Sequence, residues 1–362
     1  MDNRLLTIMI GTAATAPSIH NTQPWHFVAH GCVVDVFADR SRAVPVVDPT
    51  GRQLVMSCGA AIEHLCITAR ALGRDPAVQL LPDRANPDWL ARVDVSARRV
   101  ASVDDRTLAK AMFQRHTVRT PFARCGVGER ITGELASEAS ALGASAAFLT
   151  RSSDLLVAAV LLTHADEAER GNDAYLAELA GWRRENGVDG IPAAALAPTE
   201  GRRTSLPLRD FRAGDPASNA ADAIGNAADE LGAAAVDGAA EHDEIVVIGT
   251  PGDEPVDWLV AGRSLARLWL RATALGLAAS PLTQALDREP YRSWLRRALR
   301  YQGYPQMVLR MGYEVAPVPS PPSPLAVPAP RRPIEDVVTF EGEPEAEPAK
   351  QERTASRRPV RV

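Results

Sequence analysis

The sequence is poor in the residue patterns that mark most common chemistries. Cysteine occurs four times in 362 residues, at Cys32, Cys58, Cys66 and Cys125, with no CxxC pair. That scatter speaks against a zinc ribbon, a redox dithiol or a disulfide framework. Cys58 and Cys66 share an apolar, Ala-rich segment at a helical spacing that suits buried, reduced thiols. The seven histidines are dispersed, with no HExxH or His/Asp spacing for a metal. No GxGxxG or GxxxxGK[ST] stretch appears, which excludes the usual dinucleotide and P-loop fingerprints, and Ser18 lacks the GxSxG setting of a hydrolase. Charge of one sign is also missing: 40 basic residues stand against 45 acidic ones, a net charge of −5. Nothing there attracts nucleic acid or an anionic membrane. No apolar run approaches the roughly 20 residues of a membrane span, and Leu5 to Ile10 is too short for a secretory signal. A cytoplasmic protein is expected.

What is present is an ordinary globular composition, 46% hydrophobic and 23% charged. The length suits one large domain or two average ones. "RLLTIMIGTAAT" near the start reads as a helix, and "CVVDVFADR" (32–40) alternates as a half-buried strand. "GRQLVMSCGAAIEHLCITARALGRD" (51–75) reads as a long buried helix that ends at Gly73. "WLARVDVSA" (89–97) is a strand candidate, and "RTLAKAMFQRHT" (106–117) an amphipathic helix. A further helix is expected over 155–170, a short apolar strand over 243–250, and a second long helix over 256–280. The two long helices align without a gap: Gly59 meets Gly262, Leu65 meets Leu268, and both finish on A-x-A-L-G. That match suggests one structural unit present twice. Residues 199–242 are rich in Gly, Ala and Asp and read as an insertion, either a flap over a site or an irregular excursion. The proline-rich stretch 315–333 should run extended, and the charged residues 341–362 should form a disordered tail.

Two polar motifs stand out. "APSIHNTQPW" (16–25) packs amides and hydroxyls between two prolines, in a turn between apolar segments. "QRHTVRTPF" (114–122) is read as the end of a helix, with Arg115 and Arg119 one turn apart and Thr117 between them. Two guanidiniums and a hydroxyl on one side can cradle a phosphate, since a guanidinium donates in a fork matching phosphate oxygens. For an isolated RxxxR, a solvated basic face is the commoner outcome.

Together, "PSxxNxQPW" and "RxTVRxxF" resemble the two flavin-binding signatures of the nitroreductase family. The resemblance implies an FMN phosphate gripped by Arg115, His116, Thr117 and Arg119. It also implies a turn of Pro17, Ser18, Ile19 and Asn21 laid against the flavin ring and ribityl chain. Gln23, Pro24 and Trp25 are expected to anchor that turn. A third family element, a C-terminal basic residue that reaches the phosphate, resembles "RRPIEDVV" (331–338), with Arg332 as the expected contact. "SPLTQALD" (280–287) falls where the family lines the flavin and implies Ser280, Pro281, Leu282 and Thr283. The arginine motif carries one extra residue before Phe122 relative to the usual "RxSxRxF".

Motif order carries further information. In an ordinary nitroreductase the arginine motif precedes the Asn-containing turn, whereas here the turn comes first. After the arginine motif, "ERITGELASEASALGASAAFL" contains no second Pro-Ser-x-x-Asn turn. Each half holds what the other lacks, an arrangement similar to the single-chain Acg-type branch of the family. The resemblance implies an α+β nitroreductase-like fold duplicated within one chain, a fused pseudo-dimer with antiparallel-rich sheets flanked by helices. The halves are expected at 1–100 and 101–340, with an FMN site between them and a monomer as the working unit. The implied reaction is two-electron reduction of a small nitro- or quinone-type acceptor, with NAD(P)H as reductant. FMN sequestration under a lid at 199–242, without turnover, is the rival expectation. Cleavage of FMN toward the lower ligand of cobalamin is a third. Flavin hydride transfer needs no protein base, so neither His20 nor His116 is expected to be catalytic.

Overall fold

The computed structural model describes residues 3–193, Leu206, Arg209, Phe211, 243–315 and 329–341. Helix α1 (Asn3–Ala13) opens the chain. Strands β1 (Trp25–His30) and β2 (Val33–Ala38) form a hairpin, and the long helix α2 (Arg52–Ala71) follows. Strands β3 (Ala77–Leu80) and β4 (Trp89–Asp94) extend the hairpin into an antiparallel sheet. α2 ends where Gly73 turns the chain at φ +75°, a left-handed conformation that glycine adopts without penalty.

The rest begins with α3 (Val103–Ala111), α4 (Glu129–Ser140) and β5 (Ser145–Phe148). Next come α5 (Ser152–Arg170), α6 (Asp173–Gly181) and the short pair β6 (Arg183–Arg184) and β7 (Ile191–Pro192). Beyond the insertion lie β8 (Glu244–Thr250), the long helix α7 (Pro255–Ala274) and β9 (Leu277–Pro281). α8 (Gln284–Asp287), α9 (Tyr291–Ala298), β10 (Tyr304–Tyr313) and β11 (Val338–Phe340) complete the described elements. The fold is α+β, as the family resemblance implies. The insertion 199–242, apart from its three described residues, lies outside the described residues, as do 316–328 and 342–362.

Two sheets hold the core. One runs β11-β1-β2-β4-β3 and the other β5-β8-β10-β9. β8 and β10 are buried along nearly their whole length, because α4 and α7 cover one face of their sheet and α5, α8 and α9 the other. β11 pairs in parallel with β1, Phe27 opposite Val338. The chain's C-terminal stretch thus completes the sheet that β1 to β4 begin.

Between the sheets α2 packs on α7. α2 is apolar and long enough to cross a membrane by composition, but 89% of its apolar window is buried inside this core. The two helices meet where neither has a side chain. A Cβ on Gly59 would lie 2.5 Å from the Leu259 carbonyl oxygen, and one on Gly262 would lie 2.0 Å from that of Met56. The ungapped alignment of the two helices places Met56 opposite Leu259, so the contact is reciprocal, the form an isologous two-fold interface takes. Glu63, wholly buried, pins the joint by pairing with Arg70 on its own helix and with Arg263 and Arg267 on α7. Cys58 and Cys66 are free and buried here, and burial raises both thiols above their ordinary range.

Candidate functional site

The turn after α1 is built under backbone strain. Of five non-glycine residues at positive φ among the described residues, three lie in it: His20 (45°), Asn21 (55°) and Gln23 (52°). Such conformations cost of order 1–3 kcal/mol each and persist where surrounding contacts impose them. Here those contacts are specific. Ser57 on α2 accepts from the Ile19 amide at 3.1 Å, and Ser18 Oγ accepts from the Gln23 amide at 3.0 Å. Gln23 donates to the Val188 carbonyl and accepts from the Arg332 amide. Trp25, fully buried, seats the end of the turn in the first core. Gln23 and Trp25 are therefore the anchors that the sequence predicts.

Asn21 is committed within the protein. Its Nδ2 donates to the carbonyls of Gly190 and Pro330, both at 3.0 Å, and its Oδ1 accepts from Arg331 at 3.1 Å. These bonds tie the turn to the C-terminal segment. Asn21→Ala should lower apoprotein stability by about 1–3 kcal/mol, the penalty for buried partners left unsatisfied. Urea unfolding of the apoprotein checks this, and an unchanged midpoint would mean that these bonds carry no stability.

The arginine motif is extended, not helical. α3 stops at Ala111, and Thr117 bridges to Ala279 of β9 while the Val118 amide donates to its carbonyl at 3.0 Å. Thr117, Val118 and Thr120 are β-branched, and Pro121 disfavours helix in the residue before it. On an extended stretch Arg115, Thr117 and Arg119 still share a side, because side chains alternate. The two arginines then stand about 13 Å apart along the chain, at ~3.3 Å per residue, instead of one helical turn. The same pairing lays the motif beside "SPLTQALD". Ser280 is buried on β9, Thr283 stands at the position just before α8, and Pro281 lies between them. Leu282 departs from expectation: it points into the third core and is fully buried. Phe122 is likewise structural, wedged against Gly312 and lying under the Arg310 guanidinium at 4.3 Å.

The basic residues then sort clearly. Buried arginines elsewhere meet carboxylates, as Arg52 does at Asp287, Arg263 at Glu63, and Arg209 at Glu169 and Asp287. Arg115, Arg119 and Arg331 meet none among the described residues. Arg115 lies over the Trp269 ring at 4.8 Å, with its Nε buried and unpartnered. Arg331 is held by the carbonyls of Thr15 and Ala16, and its Nε is also unpartnered. Arg119 lies 4.8 Å from the Phe211 ring, which also meets His20 edge-on. Burial lowers all three, Arg115 to about 9 with help from Arg331, and Arg119 and Arg331 to about 10. A buried cation without a counter-charge is costly, and Arg115 and Arg331, which act on each other electrostatically, suit an anion between them.

Two expected residues lie elsewhere. His116 turns to Glu314 at 3.0 Å, which raises its pKa, and its Nδ1 pairs with the Gln114 carbonyl. Arg332 faces Asp39, the Gln23 carbonyl and the Asp336 carbonyl. Its neighbour Arg331 points instead toward Thr15, Asn21 and Arg115, since consecutive side chains on an extended segment point to opposite sides. Trp269 and His64 belong to neither sequence motif, and no local signal marks them. Among the described residues no His/Cys/Asp/Glu group could hold a metal ion.

No family model matches the chain. Curated relatives do. "Putative NAD(P)H nitroreductase Rv3131" of Mycobacterium tuberculosis is 32% identical over 346 residues, covering 94% of this chain and 92% of that protein. "Uncharacterized protein Rv3127" of the same organism is 30% identical over 92% of each chain, and Acg, also named a putative NAD(P)H nitroreductase, is 28% identical over 90% and 92%. Among solved structures, the FMN-dependent nitroreductase NfnB of Mycobacterium smegmatis, in complex with NADPH, aligns with 66% of this chain and 99% of its own. That match has 17% identity and a TM-score of 0.40, too low to carry an argument. The similarity to Rv3131 over nearly its full length decides the matter: the chain belongs to the family of Acg-like NAD(P)H nitroreductases.

Proposed function

We propose that this chain binds one FMN between its two halves and catalyses two-electron reduction of small nitro- or quinone-type acceptors, with NAD(P)H as reductant. The observation that carries the reading is the set of carboxylate-free arginines, Arg115, Arg119 and Arg331, gathered beside a strained turn. When bound, FMN supplies a ring that takes up and passes on a hydride. The chain's own part is to bind and orient. Arg115 and Arg331 would hold the phosphate, with Thr117 beside them. The Pro17–Asn21 turn and the Ser280–Thr283 segment would flank the organic portion, and Trp269 would back Arg115.

Two halves that supply different parts of one site, joined by a reciprocal helix contact, support duplication within a single chain. On that reading a monomer suffices. The purified protein should be yellow with at most one FMN per chain, and anaerobic NAD(P)H should bleach its absorbance near the flavin maximum. Two flavins per chain would end the fused-site reading.

A second reading, FMN sequestration without turnover, is favoured by Arg209 and Phe211. These residues of the insertion reach back to the site: Arg209 to Glu169 and Asp287, Phe211 to Arg119 and His20. A flavin that stays oxidised under excess NAD(P)H selects that reading.

A further inference from the structure

His64 lies in the middle of α2, fully buried, and belongs to none of the motifs above. Its Nδ1 lies 3.2 Å from Thr15 Oγ1, whose own hydroxyl proton is donated to the Thr12 carbonyl at 2.7 Å. With the hydroxyl proton on the Thr12 carbonyl, Thr15 Oγ1 is left to accept from the ring, which assigns the tautomer with the proton on Nδ1 and Nε2 as a bare acceptor. That Nε2 is buried with no partner among the described residues. Thr15 also fixes what lies nearby, because its carbonyl accepts from Arg331 at 2.8 Å. Arg331 and Arg115 both act on His64 electrostatically, and burial with these two cations holds the imidazole neutral, near 3.

Three unpartnered nitrogens, the donors Arg115 Nε and Arg331 Nε and the acceptor His64 Nε2, thus belong to side chains that act on one another electrostatically. A fully ionised phosphate satisfies only the two donors, since its oxygens present lone pairs to the lone pair of Nε2. Resting on the FMN reading, we propose that His64 is a cofactor-positioning residue whose Nε2 accepts a hydrogen bond from an O–H of the ligand next to the phosphoryl group. Two parts of the ligand carry such a group, the ribityl chain and a protonated phosphoryl oxygen. With the two arginines on the charge and His64 on the hydroxyl, the site recognises a phosphorylated polyol by both ends of that link.

The test is flavin titration by fluorescence, with FMN and with riboflavin, on the full chain carrying His64→Leu or His64→Gln. Gln places an acceptor near the Nε2 position while still able to donate toward Thr12 and Thr15. His64→Leu should weaken FMN about 5- to 150-fold, the range for an unmet buried acceptor, and His64→Gln should recover most of that loss. An equal loss for riboflavin assigns the donor to the ribityl chain, and a loss confined to FMN assigns it to the phosphoryl group. Urea unfolding of each apoprotein separates binding from folding. A purely structural histidine would lower apoprotein stability in both variants and leave flavin affinity unchanged, which overturns the proposal. Wild-type affinity in His64→Leu alongside a loss in Arg331→Gln overturns it too, while leaving the FMN reading intact. Should Arg331→Gln also bind as wild type, the phosphoryl group lies away from both residues, whereas a wild-type chain that takes up no FMN ends the FMN reading itself.

Discussion

Replacing Arg115 with methionine should weaken FMN binding about 10- to 150-fold, yet leave the apoprotein as stable as wild type or more so. The two effects differ in sign because one group does two things. In the ligand-free chain Arg115 is a partly buried cation with no carboxylate among the described residues, and a second cation, Arg331, nearby. Removing an uncompensated charge from such a place relieves a desolvation penalty. Methionine retains the flexible apolar stem that packs on Trp269. In the loaded protein the guanidinium meets a phosphate, and a charge-assisted hydrogen bond is worth roughly 1.5–3 kcal/mol, which gives the stated range of affinity. The pH dependence follows from the lowered pKa of about 9. Between that value and the ordinary arginine range the unfolded chain keeps a proton that the folded chain has released, so wild-type stability rises with pH there. Below pH 9 both states are charged and the penalty is fully present. The stability difference between variant and wild type should therefore be constant near neutral pH and shrink above pH 9. Paired fluorescence titration and urea unfolding give both quantities. A variant that unfolds easily but binds FMN normally would make Arg115 a structural residue.

The site was legible in the sequence to the extent that its residues are neighbours along the chain. The turn at 16–25 and the motif at 114–122 could be read because each concentrates its polar groups in a short stretch. That Arg115 and Arg119 share a side holds for helix and strand alike, so a wrong secondary structure still gave the correct face. Their separation did depend on it. The choice between Arg331 and Arg332 turns on which way two adjacent side chains point, and composition carries no such information. His64 and Glu63 were hidden differently: they sit in a helix that reads as uniformly buried, and their partners are far away in sequence, Thr15 for one and Arg263 for the other. The alignment of the two long helices pointed to Gly59 and Gly262 as equivalent. It could not say that they touch.

That contact makes the second large prediction. Gly262→Ala should destabilise the protein by about 3 kcal/mol or more, although alanine is the better helix former by roughly 1 kcal/mol. The new methyl carbon would lie 2.0 Å from the Met56 carbonyl oxygen and within 3 Å of the Met56 carbonyl carbon and Cα. These are backbone atoms inside a regular helix, and they cannot swing aside as the end of a flexible side chain can. Relief requires α2 and α7 to move apart by more than 1 Å, and overpacked cores that do so typically lose about 1–3 kcal/mol from the clash alone. Separation also lengthens the pairs from the buried Glu63 to Arg263 and Arg267, and a buried carboxylate deprived of its partners costs about 3–5 kcal/mol. Gly59→Ala should behave the same way for the reciprocal reason, its Cβ falling 2.5 Å from the Leu259 carbonyl oxygen. Gly133→Ala on α4 is the control. A Cβ there meets nothing within 4 Å, so that variant should gain stability from propensity. Because His64 and Trp269 lie on the two sides of the joint, flavin affinity should fall with Gly262→Ala even in the fraction that folds. Thermal unfolding of the three variants decides the point. A Gly262→Ala protein that melts with wild type would mean that the helices do not meet at these glycines, and the reciprocal contact that supports duplication would go with it.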